Sequence, residues 1–181
     1  AQRFHDAVAM TDALAAAVGM VEELGRFNER RAEHGLPAVR VGIGLNSGLL
    51  MLGTVGGPDR MDGTVISDAV NLASRVEGLN RVFGTTILIS ERTYTHLRVA
   101  DRFDMRSIGR VRVKGKSTPV SVMEVLDGEP REIREMKHEP RPDFDEALAA
   151  YVKRDFRVAA DLFGTVLGWN PSDAVATRYL Q

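Results

Sequence analysis

The alternation between helical and extended hydrophobic periodicity is the feature that most constrains how this chain folds. Apolar residues recur at intervals of three and four from about residue 4 to residue 33, and again from residue 69 to about residue 83, which predicts two amphipathic helices. Residues 39–45 lie between them and alternate branched apolar with small or charged side chains, as a strand does. Because helices and strands are interleaved, with hairpin turns as well as longer crossovers, the sequence predicts an α+β domain.

Turn signals divide the extended segments. Asn46-Ser47-Gly48 joins residues 39–45 to a second apolar run at 49–55, and this pattern predicts a β-hairpin, followed by a loop at 56–59. The remaining predicted elements are an extended piece at 64–66, a helix at 69–83 with Ser67 or Asp68 as its N-cap, a strand at 85–90, a short helix at 91–97, and two or three strands between 103 and 125.

The last third of the chain predicts a linker and a helical appendix. Residues 128–142 are charged, contain three prolines and lack periodicity, which predicts a linker. Residues 143–181 carry apolar residues at helical spacing and predict two or three helices, the last beginning at Asn170-Pro171. The predicted organisation is a main domain at 1–127, a linker at 128–142 and an appendix at 143–181.

Charge and composition argue against several classes of protein. With 24 Lys and Arg against 25 Asp and Glu, the net charge is −1, so no overall field favours nucleic acid or an anionic membrane. The absence of cysteine excludes a disulfide framework and fits a reducing cytoplasm. The longest apolar stretch, at residues 13–21, is about half of what a bilayer-spanning helix needs, and no signal peptide opens the chain. We therefore expect a cytoplasmic chain that crosses no membrane by itself.

A polar pair stands beside the apolar stripe of the second predicted helix. Asn71 and Arg75 are four residues apart, one position away from Leu72 and Val76, so their side chains share one face. An amide and a guanidinium on a rigid helix can orient a phosphoryl group and neutralise the charge that develops on it. The alternative is an ordinary solvated helix surface, which the spacing alone favours.

Two further positions could contact a ligand. Lys114 and Lys116 flank Gly115 in a predicted tight connection, where one of their ammonium groups could reach a polyphosphate that approaches the glycine closely. Thr64 leads into the helix that carries Asn71, and its hydroxyl could hydrogen-bond a ligand above the helix start. Taken alone, these residues are more simply interpreted as solvent-exposed lysines and a β-branched strand residue.

Other known site patterns do not fit. Gly42-Ile43-Gly44 followed by Gly48 is similar to a dinucleotide-binding fingerprint, but Ser47 takes the place of the third glycine and a hairpin is predicted to follow. The four histidines are scattered without the spacing of metal ligands.

Residues 60–79, RMDGTVISDAVNLASRVEGL, resemble the central signature of class III adenylate and guanylate cyclases. Residues 39–48 and 109–120 resemble the flanking blocks of that family in the same order, so the likeness covers roughly residues 1 to 126. The resemblance implies a ferredoxin-like cyclase domain that lacks its N-terminal strands. It also implies a head-to-tail homodimer in which each active site takes residues from both copies.

The resemblance also implies roles for single residues. Asn71 and Arg75 match the pair that orients the ribose and stabilises the pentavalent phosphate, and Lys114 matches the lysine that holds the terminal phosphates. Thr64 matches the purine-selecting position, where a bacterial subgroup that makes cyclic AMP carries Thr, and Asp68 is a further candidate for substrate binding. The chain departs from the family pattern at Asn46, Gly63 and Ser67, where the family usually carries His or Thr, an aromatic residue and glycine, respectively. None of these departures removes a matched catalytic residue, although Gly63 and Ser67 flank the base pocket.

The reaction implied is the conversion of ATP to 3′,5′-cyclic AMP and pyrophosphate, assisted by two Mg²⁺ or Mn²⁺ ions. In the family the metal-binding aspartates and a base-reading lysine precede the helix with which this chain opens, so we expect no metal ligands in this chain. The alternatives are a guanylate cyclase, a catalytically silent cyclase-like domain that regulates and dimerises, and a protein-interaction module dominated by the appendix.

The appendix resembles a single tetratricopeptide-like unit. In bacterial cyclases such a unit follows the cyclase domain, and some of these proteins are membrane-anchored, so the resemblance implies a cytoplasmic piece that reaches a membrane only through segments outside this chain. Because one repeat cannot bury its apolar face alone, we expect it to dock on the cyclase domain or on a partner.

Overall fold

The computed structural model describes residues 2–49, 51–57, 60–98, 100–115 and 117–181; in residues 2–7, 51–57, 60–66 and at 101 it describes the backbone alone. The elements are α1 (Gln2–Glu33), β1 (Ile43–Leu45), β2 (Met51–Gly57), β3 (Arg60–Ile66), α2 (Asp68–Phe83), β4 (Ile87–Ser90), α3 (Glu91–Thr95), a 3₁₀ turn (Ala100–Arg102), β5 (Met105–Val111), β6 (Val120–Val125), α4 (Arg131–His138), α5 (Arg141–Val152), α6 (Phe156–Trp169) and α7 (Ala174–Tyr179).

A four-stranded mixed sheet forms the centre of the fold. Its order is β1-β4-β6-β5, in which β1 pairs with β4 in parallel and the other neighbours are antiparallel. β4 is buried along its whole length, as expected of a central strand covered on both faces. The mixture of helices with this sheet confirms the predicted α+β class.

The hairpin predicted between residues 39–45 and 49–55 is wrong. β1 pairs with β4 instead, and β2 pairs with β3 in an antiparallel ladder that runs from Met51 opposite Ile66 to Gly57 opposite Arg60. Alternation shows that a segment is extended but not which strand it pairs with. Of the loop predicted at 56–59, residues 56 and 57 belong to β2, while 58 and 59 lie outside the described residues.

Local sequence signals determine helix α2 as predicted. The Ser67 hydroxyl accepts a hydrogen bond from Ala69 N at 2.9 Å, and Gly84 ends the helix in the left-handed region at φ 61°. The predicted apolar stripe faces the core, with Val76 and Phe83 buried. α2 packs so closely on β1 that no side chain fits at Gly44. A β-carbon there would lie 2.2 Å from the backbone nitrogen of Glu77.

The segment predicted as an irregular linker, residues 128–142, is largely helical. It contains α4 and the start of α5, and Lys137 of α4 is buried with its Nζ 2.7 Å from Glu124 Oε1 on β6. Its prolines stand at or beside helix starts, where the backbone nitrogen needs no partner within the helix. The prediction failed because a buried ion pair with a distant strand, rather than a continuous apolar stripe, attaches α4 to the domain.

Helices α5 to α7 span most of residues 143–181, the segment predicted as an appendix, and share a core with the sheet. Phe144 of α5 and Phe163 of α6 meet edge-to-face at 5.7 Å, and both belong to one buried cluster with Ile108 and Val122 of the sheet. These helices therefore pack on the sheet, and the division of the chain into a main domain and an appendix stays a prediction. The third helix begins after Asp173, its N-cap, and not at Pro171 as predicted.

Candidate active site

Helix α2 presents Asn71 and Arg75 on the side next to its apolar stripe. Asn71 lies in the first turn and is exposed, and Arg75 lies one turn further and is half-buried. Leu72 packs against the core, as does the fully buried Val76. The burial of the neighbouring stripe fixes the rotation of the helix, so the polar pair is displayed from a rigid support.

Arg75 reaches the turn that follows strand β5. A β-carbon at Gly115 would lie 3.0 Å from Arg75 Nη2 and 3.4 Å from Nη1, so the guanidinium lies against the Gly115 backbone. Gly115 has φ +75°, a conformation that side chains with a β-carbon rarely adopt. Lys114 precedes it and is exposed. Two cationic side chains, predicted separately, are thus carried by neighbouring parts of the fold.

The connection between β5 and β6 is anchored on both sides of this turn. Arg110 pairs with Ser121 and Val111 with Val120 at the end of the ladder, and Val113 is buried with 6% of its surface exposed. An inward Val113 leaves the neighbouring Lys114 at the surface. Lys116 lies outside the described residues.

Asp68 lies at a cleft beside the start of α2. The cleft has a volume of about 760 Å³, and Asn46, Ser47, Leu72 and Arg110 contribute to its lining together with Asp68. Asp68 is exposed and lies seven residues before Arg75, on nearly the same side of the helix about two turns away. The cleft lining identified among the described residues does not include Asn71, Arg75 or Lys114.

Thr64 is placed only by its backbone. It lies in β3 opposite Gly53 of β2, and its side chain is not among those described. Its role in selecting the purine stays a prediction.

Asn46 has a structural role that its sequence context did not indicate. Its Nδ2 donates to Ala69 O at 2.9 Å, and its Oδ1 accepts from the Ser90 hydroxyl at 2.7 Å. Ser47 N donates to Thr93 Oγ1 at 2.8 Å. Asn46 therefore ties the start of α2 to the start of α3; the asparagine at the turn was the visible signal, but its partners are distant in sequence.

Within the part of the chain that the structure describes, no group of three or more His, Asp or Glu side chains could hold a metal ion. Asn71, Arg75 and Lys114 supply an amide and two cations, which are not the carboxylate ligands that Mg²⁺ prefers. The described residues do not fit a two-metal site. None of the described helices is both long enough and apolar enough to span a bilayer.

Residues 3–125 match the model of the adenylate and guanylate cyclase catalytic domain family. The chain therefore belongs to this family. It is 45% identical over 118 residues to an adenylate cyclase of Anabaena cylindrica, covering 62% of this chain and 24% of that protein. It is 34% identical over 145 residues to a terminal-differentiation specific adenylate cyclase of Dictyostelium discoideum, covering 80% of this chain and 7% of that protein. The chain thus spans less than a quarter of the length of either relative.

Solved structures agree with this assignment. The adenylyl cyclase CyaB from P. aeruginosa superimposes with a TM-score of 0.57 at 30% identity, covering 67% of this chain and 60% of that one. The guanylyl cyclase Cya2 superimposes with a TM-score of 0.52 at 32% identity over the same shares of the two chains. The cyclase fold predicted from the sequence is confirmed.

Proposed function

We propose that this chain is the C-terminal part of an adenylate cyclase catalytic domain that converts ATP to 3′,5′-cyclic AMP and pyrophosphate in intracellular signalling. The observation that carries the proposal is the contact of Arg75 with Gly115, beside Lys114, in a chain of the cyclase family. In the reaction the ribose 3′-oxygen attacks the α-phosphorus, the bond to pyrophosphate breaks, and the proton of the 3′-hydroxyl is released.

Arg75 is suited to the charge that this reaction creates. Negative charge develops on the oxygens of the α-phosphate as the phosphorus becomes five-coordinate, and a guanidinium already held in place stabilises that charge without reorganising. The contact with Gly115 restricts where the guanidinium can lie. Asn71, one turn earlier on the same helix, would hold the ribose in line for attack.

Lys114 is suited to the terminal phosphates. Its ammonium is at the surface next to a glycine, and a polyphosphate can approach the backbone closely there. Because those phosphates are charged before and after the chemical step, Lys114 would contribute mainly to binding rather than to turnover.

The similarity to adenylate cyclases favours adenine as the purine of the proposed substrate. The curated relatives from Anabaena, Dictyostelium and Rhizobium are each named adenylate cyclase, and Thr64 stands at the position matched to purine selection. A guanylate cyclase is the second candidate, because the guanylyl cyclase Cya2 is as similar in sequence as the adenylyl cyclase CyaB. Asp68, at the cleft beside α2, remains a proposed contact to substrate.

The proposed activity has two further requirements. We propose that carboxylates contributed from outside this chain would hold two Mg²⁺ or Mn²⁺ ions. We also propose that two copies pair head to tail, so that Asn71 and Arg75 of one copy serve a site completed by the other. A cytoplasmic location, attached to a membrane only through other segments, stays a prediction.

The test is to identify the product of the complete protein that contains this chain. The protein is incubated with Mn²⁺ and either ATP or GTP, and the cyclic nucleotide is quantified. Cyclic AMP formed at least about tenfold faster than cyclic GTP supports the proposal. The reverse preference indicates a guanylate cyclase, and no product from a folded dimer indicates a silent regulatory domain.

A further inference from the structure

Helix α7 of the appendix contacts strand β5 at both of its ends. At its start, the carboxylate of its N-cap Asp173 accepts from Arg106 Nη1 at 2.6 Å and from Nη2 at 3.1 Å. At its end, the Tyr179 hydroxyl donates to Ile108 O at 2.8 Å. Arg106 and Asp173 are both buried. The two contacts fix the strand relative to the appendix.

The second contact falls on an irregularity of β5. The ladder between β5 and β6 shifts register between Ser107 and Gly109, so Ile108 is an extra residue on its strand. Gly109 has φ +91°, and a β-carbon there would lie 2.2 Å from the Tyr179 hydroxyl oxygen. The tyrosine hydroxyl therefore occupies the space that a side chain at Gly109 would need, and it gives the bulged residue's carbonyl a partner.

Tyr179 itself is held rigidly. Its ring stacks on Phe163 with centroids 4.9 Å apart and meets Tyr151 edge-to-face at 4.8 Å. Burial, with a smaller effect from Tyr151, raises the pKa of Tyr179 to about 12, so the hydroxyl remains protonated and able to donate near neutral pH.

The bulge sets the course of the strand toward the candidate active site. Only the pairs formed by Arg110 and Val111 separate Gly109 from the end of the ladder. Arg112 and the buried Val113 then lead to Lys114 and Gly115. A change in the twist of β5 at Gly109 would move the turn that lies against Arg75.

We propose that Tyr179 is a positioning residue for nucleotide binding: through the Gly109 bulge, its bond to Ile108 sets where Lys114 is held. The inference rests on the proposed function. It gives the appendix a part in substrate affinity, although none of its residues belongs to the site described above.

Steady-state kinetics of Tyr179→Phe in the complete protein test the inference. The change removes the hydroxyl and keeps the ring packing, so the KM for ATP should rise about three- to tenfold while kcat stays within about twofold. Tyr151→Phe is the matched control, because Tyr151 belongs to the same aromatic cluster, and it should leave KM unchanged. An unchanged KM in Tyr179→Phe would overturn the inference.

A double-mutant cycle separates positioning from general loosening of the domain. In a Lys114→Ala background, Tyr179→Phe should cause no further rise in KM, because the group that it positions is absent. The same several-fold rise in both backgrounds would contradict a role through Lys114.

Amide hydrogen exchange gives a readout that does not depend on activity. In Tyr179→Phe, but not in Tyr151→Phe, backbone amides of residues 109–115 should exchange several-fold faster than in the parent protein. Equal exchange in the two variants would overturn the inference. A parent protein without cyclase activity would contradict the proposed function, while the exchange data would still decide whether Tyr179 holds the turn.

Discussion

The guanidinium of Arg75 on α2 lies against the backbone of Gly115, at the turn between β5 and β6. A β-carbon at Gly115 would be 3.0 Å from Arg75 Nη2, so the arginine occupies the space that any other residue type would fill. Residues 40 positions apart in the chain are thereby joined at the candidate active site. Their contact links the proposed charge-stabilising group to the proposed phosphate-binding turn.

Gly115→Ala should impair catalysis through this contact. The added methyl group displaces the end of the Arg75 side chain, and we expect turnover to fall by about ten- to a hundredfold. Gly35→Ala is the matched control, since Gly35 also has a positive φ, of +67°, but nothing lies within 4 Å of its β-carbon position. Both variants should lose about 1 kcal/mol of stability from backbone strain. Equal turnover in the two variants would contradict the positional role of Gly115.

Gly44→Ala should destabilise the domain. Its β-carbon would lie 2.2 Å from Glu77 N and 2.7 Å from Ala73 O, and backbone atoms inside a helix cannot move aside as a side chain can. We expect a loss of at least about 2 kcal/mol in the free energy of unfolding, measured in urea. Gly78→Ala on the exposed side of α2 has nothing within 4 Å and should instead stabilise the helix by up to about 1 kcal/mol. Similar stabilities would disprove close packing of β1 on α2.

The buried charges between the sheet and the appendix should contribute strongly to stability. Arg106 bonds Glu124 at 2.6 Å and Asp173 at 2.6 Å, and all three are almost fully buried. Arg106→Ala would leave buried carboxylates without this partner and should cost about 3–5 kcal/mol of unfolding free energy. Arg131→Ala breaks an exposed bond to Glu135 and should leave the free energy of unfolding nearly unchanged. A small loss for Arg106→Ala would show that the buried cluster relaxes or admits water.

The acid dependence of stability should reveal the charge of Asp173. Burial alone would raise the pKa of Asp173, but the hydrogen bonds and the positive charge of Arg106 outweigh it and lower the pKa below its ordinary value. A carboxyl group with a lowered folded-state pKa stabilises the fold above its unfolded pKa of about 4, and this contribution is lost as the pH falls toward the folded value.

Asp173→Asn isolates this contribution, because asparagine can still cap α7 while the charge is removed. Urea unfolding of both proteins between pH 7 and pH 3 should show the largest difference in free energy above pH 5 and a shrinking difference below pH 4. The other charged groups at the cluster, Arg106, Glu124 and Lys137, are common to both proteins. A difference that stays constant down to pH 3 would contradict the lowered pKa.

Local signals explain which parts of the fold were predictable. The N-cap and the apolar stripe of α2 lie within the helix and its flanking residues, and both were predicted from the sequence. The pairing of β1 with β4 depends on a strand more than forty residues away, so alternation could not identify it. Helix α4 was missed because its attachment depends on Lys137 reaching Glu124 of β6.

The sequence predicted the residues of the candidate site one by one but not their arrangement. The resemblance to the family predicted roles for Asn71, Arg75 and Lys114, which stay predictions, while the contact of Arg75 with Gly115 required the fold. The sequence also carries a signal of the buried charge cluster, which the predictions above did not include. Arg106 and Ile108 share one face of β5, and Glu124 is the direct cross-strand partner of Arg106, so an ion pair stands at a position where the alternation expects apolar residues.

Turnover of Asn71→Ala and Arg75→Ala in the complete protein, with saturating ATP and Mn²⁺, decides whether α2 carries the catalytic side chains. Ser74→Ala is the control, because Ser74 is exposed on the same helix and has no proposed role. We expect each of the first two variants to fold and dimerise normally but to lose about a hundredfold or more in kcat, whereas Ser74→Ala should keep the parent rate. Near-normal kcat in Asn71→Ala or Arg75→Ala would contradict the role assigned to α2.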